Sequence, residues 1–418
     1  MTRRRSTQGQ AERCERPEGP RGARRAGRAG RLGRGRLVTR PLATRPLSIG
    51  FVAGFVGRFV GRAAGLWAFG HSASVWSMTC VAVTGAAGLV GQHTLPGLTA
   101  AGATRIVGLD VREPRRRVPG LQAHRVDIAS ADLVPILEGV DVVVHLASIV
   151  DPMLDESLMT RANIGGTRRV LDAAAATGVT KLVRVSTAAV YGAWPNNPVP
   201  LTESEPLRPN PGFAPAVHDA EIERIVAEWA DAHPDVTVTT LRAAPVVGPG
   251  ADRLVSRLLL GRPRLRVRGA GPPVQVVHVD DLASALVLAV GKDLPGAYNV
   301  AADGWLADDA VTALLPRSPV PSVPGELLSR VLHRSWSTGS GSVPPGIVPY
   351  LSHPWVVATD RLRQAGWRAS HTNEEAILEG LDALGPPASR APLIAVGVTG
   401  GAVLAGAAIG WWARRRRR

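Results

Sequence analysis

Three glycines spaced three residues apart follow a short apolar run early in the chain. The stretch from Thr79 reads TCVAVTGAAGLVG, with Gly85, Gly88 and Gly91 at the spaced positions. An apolar run that turns and continues in a helical pattern predicts a strand, a tight turn and a helix N-terminus. Gly85 would permit the sharp turn, Gly88 would let the backbone approach a pyrophosphate, and Gly91 would allow close packing of helix on strand. On its own the spacing is a weak signal, because the chain contains 46 Gly.

The chain after this turn alternates between two patterns. Apolar runs of strand length are followed by segments with helical spacing, which predicts an α/β fold with a doubly wound parallel sheet. The expected elements after the first strand are strands at 105–110, 141–147 and 181–185 and a helix at 155–177. This alternation supports the interpretation of the glycine turn as the link between a strand and a helix.

The second predicted strand ends in an acidic residue, Asp110, nineteen positions after Gly91. A carboxylate at this position accepts hydrogen bonds from the ribose hydroxyls of NAD and would repel the 2′-phosphate of NADP. We therefore expect NAD as the cofactor. NADP is the alternative, because Arg112 and the run Arg115–Arg117 could neutralise a phosphate there.

The positive charge of the chain is concentrated at its two ends. Residues 1–77 contain 16 Arg, no Lys and three acidic residues, and Arg414–Arg418 follow at the other end; the segment between them is slightly acidic, although the whole chain carries +15. This distribution argues against nucleic acid as a partner. We expect residues 1–77 to be disordered, or to precede a true start at Met78. The two cysteines, Cys14 and Cys80, imply no disulfide framework and fit a reducing compartment.

A series of short segments occurs in the order known from one family. They are Thr84–Gly91, Asp110, Asp127–Ile128, His145–Ala147, Asn163–Thr167, Ser186–Gly192, Leu241–Gly250, His278–Ala283, Tyr298–Val300 and Ala365–Trp367. By these segments the region 78–385 resembles the extended short-chain dehydrogenases/reductases, the NAD-dependent epimerase/dehydratase family. The resemblance implies a Rossmann-type sheet and a smaller C-terminal substrate lobe, mainly from residue 243 on. In that lobe we expect residues 316–354, rich in Pro, Ser and Gly, to form a loop.

The resemblance also implies which residues bind the dinucleotide. The turn and the helix N-terminus would receive the pyrophosphate, and residues at the ends of the following strands would contact the remainder. The expected cofactor-binding residues are Gly85, Ala87, Gly88, Leu89, Val90, Gly91, Asp110, Asp127, Ile128, Leu146 and Ala147. His145 is expected to be a hydrogen-bonded structural residue, and we expect no metal site.

The catalytic residues that the resemblance implies are present only in part. In the family a Ser or Thr binds the substrate oxygen, a Tyr moves the proton, and a Lys four residues later lowers the pKa of that Tyr. Thr187 occupies the hydroxyl position, but Phe213 and Val217 stand at the Tyr and Lys positions. Neither side chain can transfer a proton. We therefore expect an atypical member without the Tyr-x-x-x-Lys pair, in which Tyr191 is structural.

Neighbouring polar residues leave alternatives open. His218 and Asp219 are either exposed helix residues or, for His218, a substitute proton carrier. The segment His278–Asp281 is either a strand-to-helix junction with an Asp as the helix cap or a substrate contact. Pro245 and Val247 stand where relatives often carry an Asn and a Tyr, which weakens the case for a nucleotide-sugar substrate.

The C-terminal segment 386–418 has the features of a membrane anchor with an Arg tail. Ala391–Ala413 contains no charged residue and exceeds the roughly 20 residues that span a bilayer. Trp411 and Trp412 precede five Arg, as expected at a membrane interface. Two Gly-x-x-x-Gly pairs within the segment would permit close helix association, and thus a homo-oligomer. We therefore expect a C-terminal transmembrane helix.

The orientation of this anchor is not fixed by the sequence. The five C-terminal Arg favour a cytoplasmic chain end, which with a single span puts the domain outside. A supply of NAD favours a cytoplasmic domain. A second span at 48–70, or a tail that lies in the interface, would reconcile the two. We expect a membrane-associated protein whose domain faces the cytoplasm.

These observations lead to one hypothesis and two alternatives. The hypothesis is a membrane-tethered, NAD-binding family member that is impaired in the usual proton transfer. The first alternative is an active oxidoreductase or epimerase that uses Thr187 and His218 on an unknown small molecule. The second is a non-enzymatic dinucleotide sensor or a structural subunit of a membrane complex.

Overall fold

The structure, a computed structural model, describes residues 79–261, 264–315 and 322–384. The strands of the described residues are β1 (Cys80–Thr84), β2 (Arg105–Asp110), β3 (Leu121–Arg125), β4 (Val142–His145), β5 (Lys181–Thr187), β6 (Thr237–Ala243), β7 (Val246–Val247), β8 (Arg266–Val267), β9 (Val277–His278), β10 (Gly296–Val300) and β11 (Ser322–Val323). Seven of them form one parallel sheet in the order β3-β2-β1-β4-β5-β6-β10. The strand order reverses between β1 and β4, and ligands of such sheets bind outside the carboxyl ends of the strands at that point.

Helices connect the strands. Their bounds are α1 (Leu89–Ala100), α2 (Val134–Leu137), α3 (Glu156–Thr160), α4 (Gly166–Thr177), α5 (Ala214–Ala232), α6 (Leu254–Leu260), α7 (Val279–Gly291), α8 (Asp308–Leu314), α9 (Gly325–Ser337), α10 (Asp360–Gln364) and α11 (Asn373–Leu384). A π-helical turn at Arg161–Gly165 joins α3 to α4, and 3₁₀ turns lie at Ala188–Tyr191, Pro345–Ile347 and Pro349–Leu351.

The sheet buries apolar side chains on both of its faces. In β1, Val81 and Val83 pack on one face, with Leu95 of α1 and Leu282 of α7. Ala82 packs on the other, with side chains of α4 and α5. Strands buried on both faces need continuous apolar runs, and the sequence CVAVT of β1 supplies one. The predicted doubly wound α/β fold is confirmed.

Residues after β6 form two further apolar clusters. One contains Leu254, Leu328 and Ile347 together with Phe213, and the other contains Val276 and side chains of α8 and α11. Two short parallel pairs, β7 with β9 and β8 with β11, lie among these residues. The division into a dinucleotide-binding part and a smaller substrate lobe stays a prediction.

The expectation of a loop at 316–354 is wrong for its described part. Helix α9 occupies Gly325–Ser337, where Leu328 and Leu332 are buried. These two residues are four positions apart and therefore share a helix face. Two apolar residues are a short helical signal, and the Pro, Gly and Ser residues that flank them obscured it. Within the described residues no helix is long and apolar enough to cross a membrane. The predicted anchor at 386–418 and the basic segment 1–77 lie outside those residues.

Candidate functional site

The glycine turn leads from β1 into α1 with very little space around it. Gly85 has φ +72°, and a Cβ there would lie 2.8 Å from the backbone of Ala147. A Cβ on Gly91 would lie 2.4 Å from the carbonyl oxygen of Gly85, and one on Gly88 would lie 3.0 Å from the same oxygen. Any side chain would therefore push α1 away from the turn. The first turn of α1, which includes Leu89 and Val90, begins at the edge where the strand order reverses.

Asp110 connects this turn to the end of β2. One carboxylate oxygen accepts a hydrogen bond from the Ala87 backbone N–H at 3.0 Å, and the other accepts one from the Arg112 N–H at 3.0 Å. The Asp110 side chain is 8% exposed, and the Arg112 guanidinium lies 3.8 Å away with 68% of its side chain exposed. The carboxylate is thus fixed beside the glycine turn, where the sequence predicted it.

The ends of β1 and β4 are joined by a buried polar chain that the sequence did not reveal. The Thr84 hydroxyl accepts the N–H groups of Leu146 and Ala147 at 3.1 and 3.2 Å. It lies 2.8 Å from His145 Nδ1, and His145 Nε2 lies 2.9 Å from the Thr167 hydroxyl. Burial, and secondarily the charge of a nearby arginine, lower the pKa of His145 to about 3. The neutral imidazole therefore bridges two hydroxyl groups, which agrees with the structural role predicted for it.

The remaining predicted cofactor residues follow β3 and β4 at the same edge. Asp127 comes after β3 and accepts the Ala129 N–H at 2.9 Å. Ile128 is buried, and a Cβ on Gly166 would lie 2.9 Å from its side chain. The structure thus brings together the predicted residues of all four strand ends. Their role in binding stays a prediction.

The three predicted catalytic positions differ in their surroundings. Thr187 ends β5, and its hydroxyl accepts the Ala189 N–H at 3.1 Å, which caps the following 3₁₀ turn. Phe213 precedes α5 and is 4% exposed. Val217, one turn into α5, is 39% exposed. Only Thr187 of the three carries a group that can exchange a proton.

Phe213 is part of an apolar cluster. Its ring lies 5.2 Å from the Tyr350 ring, which in turn lies 5.2 Å from Trp355. The backbone of the Pro345–Ile347 turn rests directly on the start of α5, because a Cβ on Gly346 would lie 2.4 Å from the Phe213 nitrogen. The aromatic ring at the predicted tyrosine position thus packs against residues 345–355.

His218 and Asp219 are not exposed, so their interpretation as exposed helix residues is wrong. His218 is 9% exposed, its Nε2 lies 3.3 Å from the Thr160 hydroxyl, and its Nδ1 has no hydrogen-bond partner among the described residues. Burial lowers the pKa of His218. Asp219 pairs with Arg184 at 2.7 Å, and burial raises the pKa of Asp219 to about 6 despite the arginine. The π-helical turn packs against α5 here, and no sequence pattern predicted this contact.

Tyr191 belongs to a second buried polar network. Its hydroxyl donates to Asn299 Oδ1 at 2.8 Å and accepts from Arg242 Nη1 at 2.7 Å. Arg242 also pairs with Glu223 at 2.8 Å, and the Ser186 hydroxyl donates to Glu223 at 2.5 Å. Burial raises the pKa of Tyr191 to about 12. The phenol is therefore protonated and fully hydrogen-bonded, in agreement with the structural role predicted from its position.

His278 caps α7 by accepting the Asp280 N–H at 3.2 Å. The predicted strand-to-helix junction is present, but the cap is this histidine and not an Asp. The structure also brings His371 and Glu379 to His278, although the sequence indicated no metal-ligating cluster. These residues lie about 100 positions further along the chain, so no spacing motif could reveal them. Pro245 lines a separate cleft of about 600 Å³, part of it open to solvent, together with Tyr350 and Trp355.

An all-parallel sheet, a glycine turn at its point of reversal and an acidic residue at the end of the next strand are the features of the Rossmann-type fold. Residues 81–301 match the NAD dependent epimerase/dehydratase family. The chain belongs to this family, so the predicted family is confirmed.

Similar proteins include members with and without an assigned activity. An uncharacterized protein of Mycobacterium tuberculosis is 30% identical over 315 residues, which cover 71% of this chain and 81% of that protein. The dTDP-glucose 4,6-dehydratase of Streptomyces griseus is 33% identical over 259 residues, 57% of this chain and 77% of the enzyme. The structure of Thermus thermophilus UDP-glucose 4-epimerase in complex with NAD is similar with a TM-score of 0.58 and 24% identity, over 73% of this chain and 98% of that one. This last likeness shows the fold.

Proposed function

We propose that the protein binds NAD(H) at the edge formed by β1, β2 and β4 but does not carry out the tyrosine-dependent proton transfer of its family. It would then act as an NAD(H)-responsive binding protein, as a sensor or as a subunit of a larger complex. The observation that carries this proposal is the pair Phe213 and Val217 at the Tyr and Lys positions, with Phe213 buried under residues 345–355. The retained glycine turn and Asp110 support the cofactor part.

The chemistry of the two positions explains the loss. A phenol with a pKa of about 10 needs a neighbouring cation to act as a base at neutral pH. Phe213 has no hydroxyl, and Val217 offers no charge. Thr187 alone can hold a substrate oxygen, but it cannot replace a general base whose contribution is typically about 10²–10⁴-fold in rate.

The test combines cofactor binding and turnover in the full chain. Calorimetry is expected to show NAD(H) binding that is lost in Gly88→Trp, because a large side chain there displaces the pyrophosphate. Hydride transfer to or from NAD(H) is then measured with UDP-glucose and dTDP-glucose, the sugar nucleotides named for relatives. We expect no turnover in the wild type. Turnover by the wild type, or a failure to bind NAD(H) and NADP(H), would overturn the proposal.

The second candidate function is an active oxidoreductase or epimerase that uses His218 in place of the missing tyrosine. It is favoured by the buried Nδ1 of His218, which has no partner among the described residues, and by the lowered pKa, which keeps the ring neutral and able to accept a proton. Thr187 would bind the substrate oxygen. This candidate requires turnover that is lost in both His218→Gln and Thr187→Ala while NAD(H) binding is retained. Turnover that survives both substitutions would exclude it.

A separate proposal concerns the location of the protein in the cell. We infer from the uncharged run Ala391–Ala413 and the five following Arg that the C-terminal segment anchors the protein to a membrane, with the NAD-binding domain in the cytoplasm. Extraction of cell membranes with alkaline carbonate should leave the full chain in the pellet and release a chain that ends at residue 385. Release of both would contradict the anchor.

A further inference from the structure

Three potential metal ligands from distant parts of the chain meet beside the N-terminus of α7. They are His278 at the end of β9, His371 before α11 and Glu379 within α11. One ligand atom of each lies within 4.8 Å of the others. Imidazole nitrogen and carboxylate oxygen are ligands that zinc prefers, and two histidines with one glutamate form a known set.

His278 Nε2 is the least satisfied atom of this cluster. The side chain is 1% exposed, and Nε2 lies 3.2 Å from Glu379 Oε2. Despite this distance, Nε2 has no hydrogen-bond partner among the described residues, because the carboxylate oxygen is off the line of a hydrogen bond. Two ligands bound to one tetrahedral ion at about 2.0–2.1 Å lie roughly 3.3 Å apart. The distance between His278 Nε2 and Glu379 Oε2 thus matches the distance between two ligands of one ion. The direction of the contact does not fit a hydrogen bond.

The Nδ1 atom of His371 is bound by a buried carboxylate. This atom donates to Asp281 Oδ2 at 2.9 Å, which leaves the lone pair on Nε2. Asp281 also accepts the Ser370 N–H and hydroxyl at 2.8 and 2.6 Å, and its side chain is 1% exposed. A carboxylate that fixes a histidine through its second nitrogen is the usual support of a metal-bound imidazole.

The charges in this region also favour a cation. Asp280, Asp281 and Glu379 place three carboxylates around the two rings. His93 pairs with Asp280 at 2.5 Å on the far side. These carboxylates would attract a divalent cation.

From this arrangement we propose that His278 Nε2, His371 Nε2 and the Glu379 carboxylate bind a divalent transition-metal ion of the zinc type. The Glu379 side chain is 45% exposed, which gives the ion access from solvent and leaves a fourth position to water. The site joins α11 to the start of α7 and would stabilise the packing of these helices. It is independent of the proposed function, because no cofactor residue takes part.

Binding requires two small rearrangements. The two rings now stack with centroids 3.9 Å apart and planes at 32°, so the His371 ring must turn to bring its Nε2 to the ion. For Nε2 to bind the ion, His278 must carry its proton on Nδ1, so the hydrogen bond that Nδ1 accepts from the Asp280 N–H is given up. Asp280 Oδ2 lies 3.8 Å from Nδ1, so the Asp280 side chain must move closer to accept this proton.

The experiment is zinc titration of the tag-free full chain by calorimetry, with Mg²⁺ as the comparison ion. We expect one Zn²⁺ per chain, no binding of Mg²⁺, and visible absorption bands of tetrahedral cobalt after loading with Co²⁺. Glu379→Gln and His371→Gln should each weaken zinc binding by at least about tenfold. Glu374→Gln, which changes an exposed glutamate of the same helix, should leave the affinity unchanged.

Circular dichroism and NAD(H) binding of each variant verify that folding and the cofactor site are intact, since Glu379 is half exposed. The proposal is overturned if the wild type does not bind zinc at micromolar concentration. It is equally overturned if Glu379→Gln and His371→Gln bind zinc as tightly as Glu374→Gln does. A loss of NAD(H) binding with intact zinc binding would concern the proposed function alone.

Discussion

The contact between α1 and the glycine turn can be tested by replacing glycine with alanine at two different positions. At Gly91 an added Cβ would lie 2.4 Å from the Gly85 carbonyl oxygen and 2.9 Å from Ala86 Cα, far inside the normal contact distance of about 3.5–4.0 Å. Both neighbours are backbone atoms, so α1 itself must shift. At Gly165, which has helical φ −62° and ψ −45°, nothing lies within 4 Å of an added Cβ.

The two substitutions share the gain of replacing glycine in a helical conformation, about 0.4–1 kcal/mol. They differ in the steric penalty at Gly91, which is about 1–3 kcal/mol for overpacking in a rigid environment. Gly165→Ala is therefore expected to be slightly more stable than the wild type. Gly91→Ala should be less stable than Gly165→Ala by the full steric penalty of about 1–3 kcal/mol.

Urea unfolding followed by circular dichroism measures this difference, and calorimetry measures NAD(H) binding of the same variants. A shift of α1 also moves the N–H groups that face the pyrophosphate, so Gly91→Ala should bind NAD(H) at least about tenfold more weakly, a difference of about 1.4 kcal/mol. Gly165→Ala should bind it unchanged. Equal stability of the two variants would refute the steric argument, and equal binding would refute the placement of the cofactor at this turn.

Three further predictions concern the buried polar groups. Tyr191→Phe should lower the free energy of unfolding by about 1–3 kcal/mol, because it leaves Arg242 without one buried acceptor; urea unfolding measures this, and an unchanged midpoint would contradict it. The pKa of His145 is lowered to about 3, so the ring stays neutral in the folded chain while it is protonated in the unfolded chain below pH of about 6.5. Stability from this group is present above that pH and falls by about 1.4 kcal/mol per pH unit as the pH decreases toward 3; His145→Gln should flatten the measured slope by this amount, and an identical slope would exclude the buried neutral imidazole. Asp110→Ala should weaken NAD binding and abolish the preference over NADP, because it removes both the ribose acceptor and the bond to the Ala87 N–H; calorimetry with both dinucleotides decides, and an unaltered ratio would refute the role of Asp110.

The sequence predicted the sheet and the cofactor edge because their signals are local. The run CVAVT and the three glycines after it lie within thirteen residues, and each glycine meets backbone atoms in the structure as the pattern requires. The position of Asp110 follows from the same local logic, since it ends an apolar strand.

The polar networks and the surroundings of Phe213 could not be predicted in this way. The Thr84–His145 pair spans 61 positions and the Tyr191–Asn299 pair spans 108, so only the paired strands bring them together. The packing of Tyr350 on Phe213 likewise depends on where the Pro345–Ile347 turn lies. Sequence periodicity describes single elements and contains no information on such contacts.

The burial of Phe213 has a consequence for any attempt to restore the family's chemistry. Phe213 is 4% exposed and belongs to an apolar cluster, so we expect a hydroxyl added by Phe213→Tyr to enter that cluster. An unpartnered hydroxyl there costs about 1–3 kcal/mol, and the added phenol would be held away from water and substrate. Tyrosine and lysine side chains at positions 213 and 217 are therefore insufficient for proton transfer unless the Pro345–Ile347 turn also moves away. The missing hydroxyl and the close packing of this turn are two aspects of one arrangement, and together they support the proposed binding role.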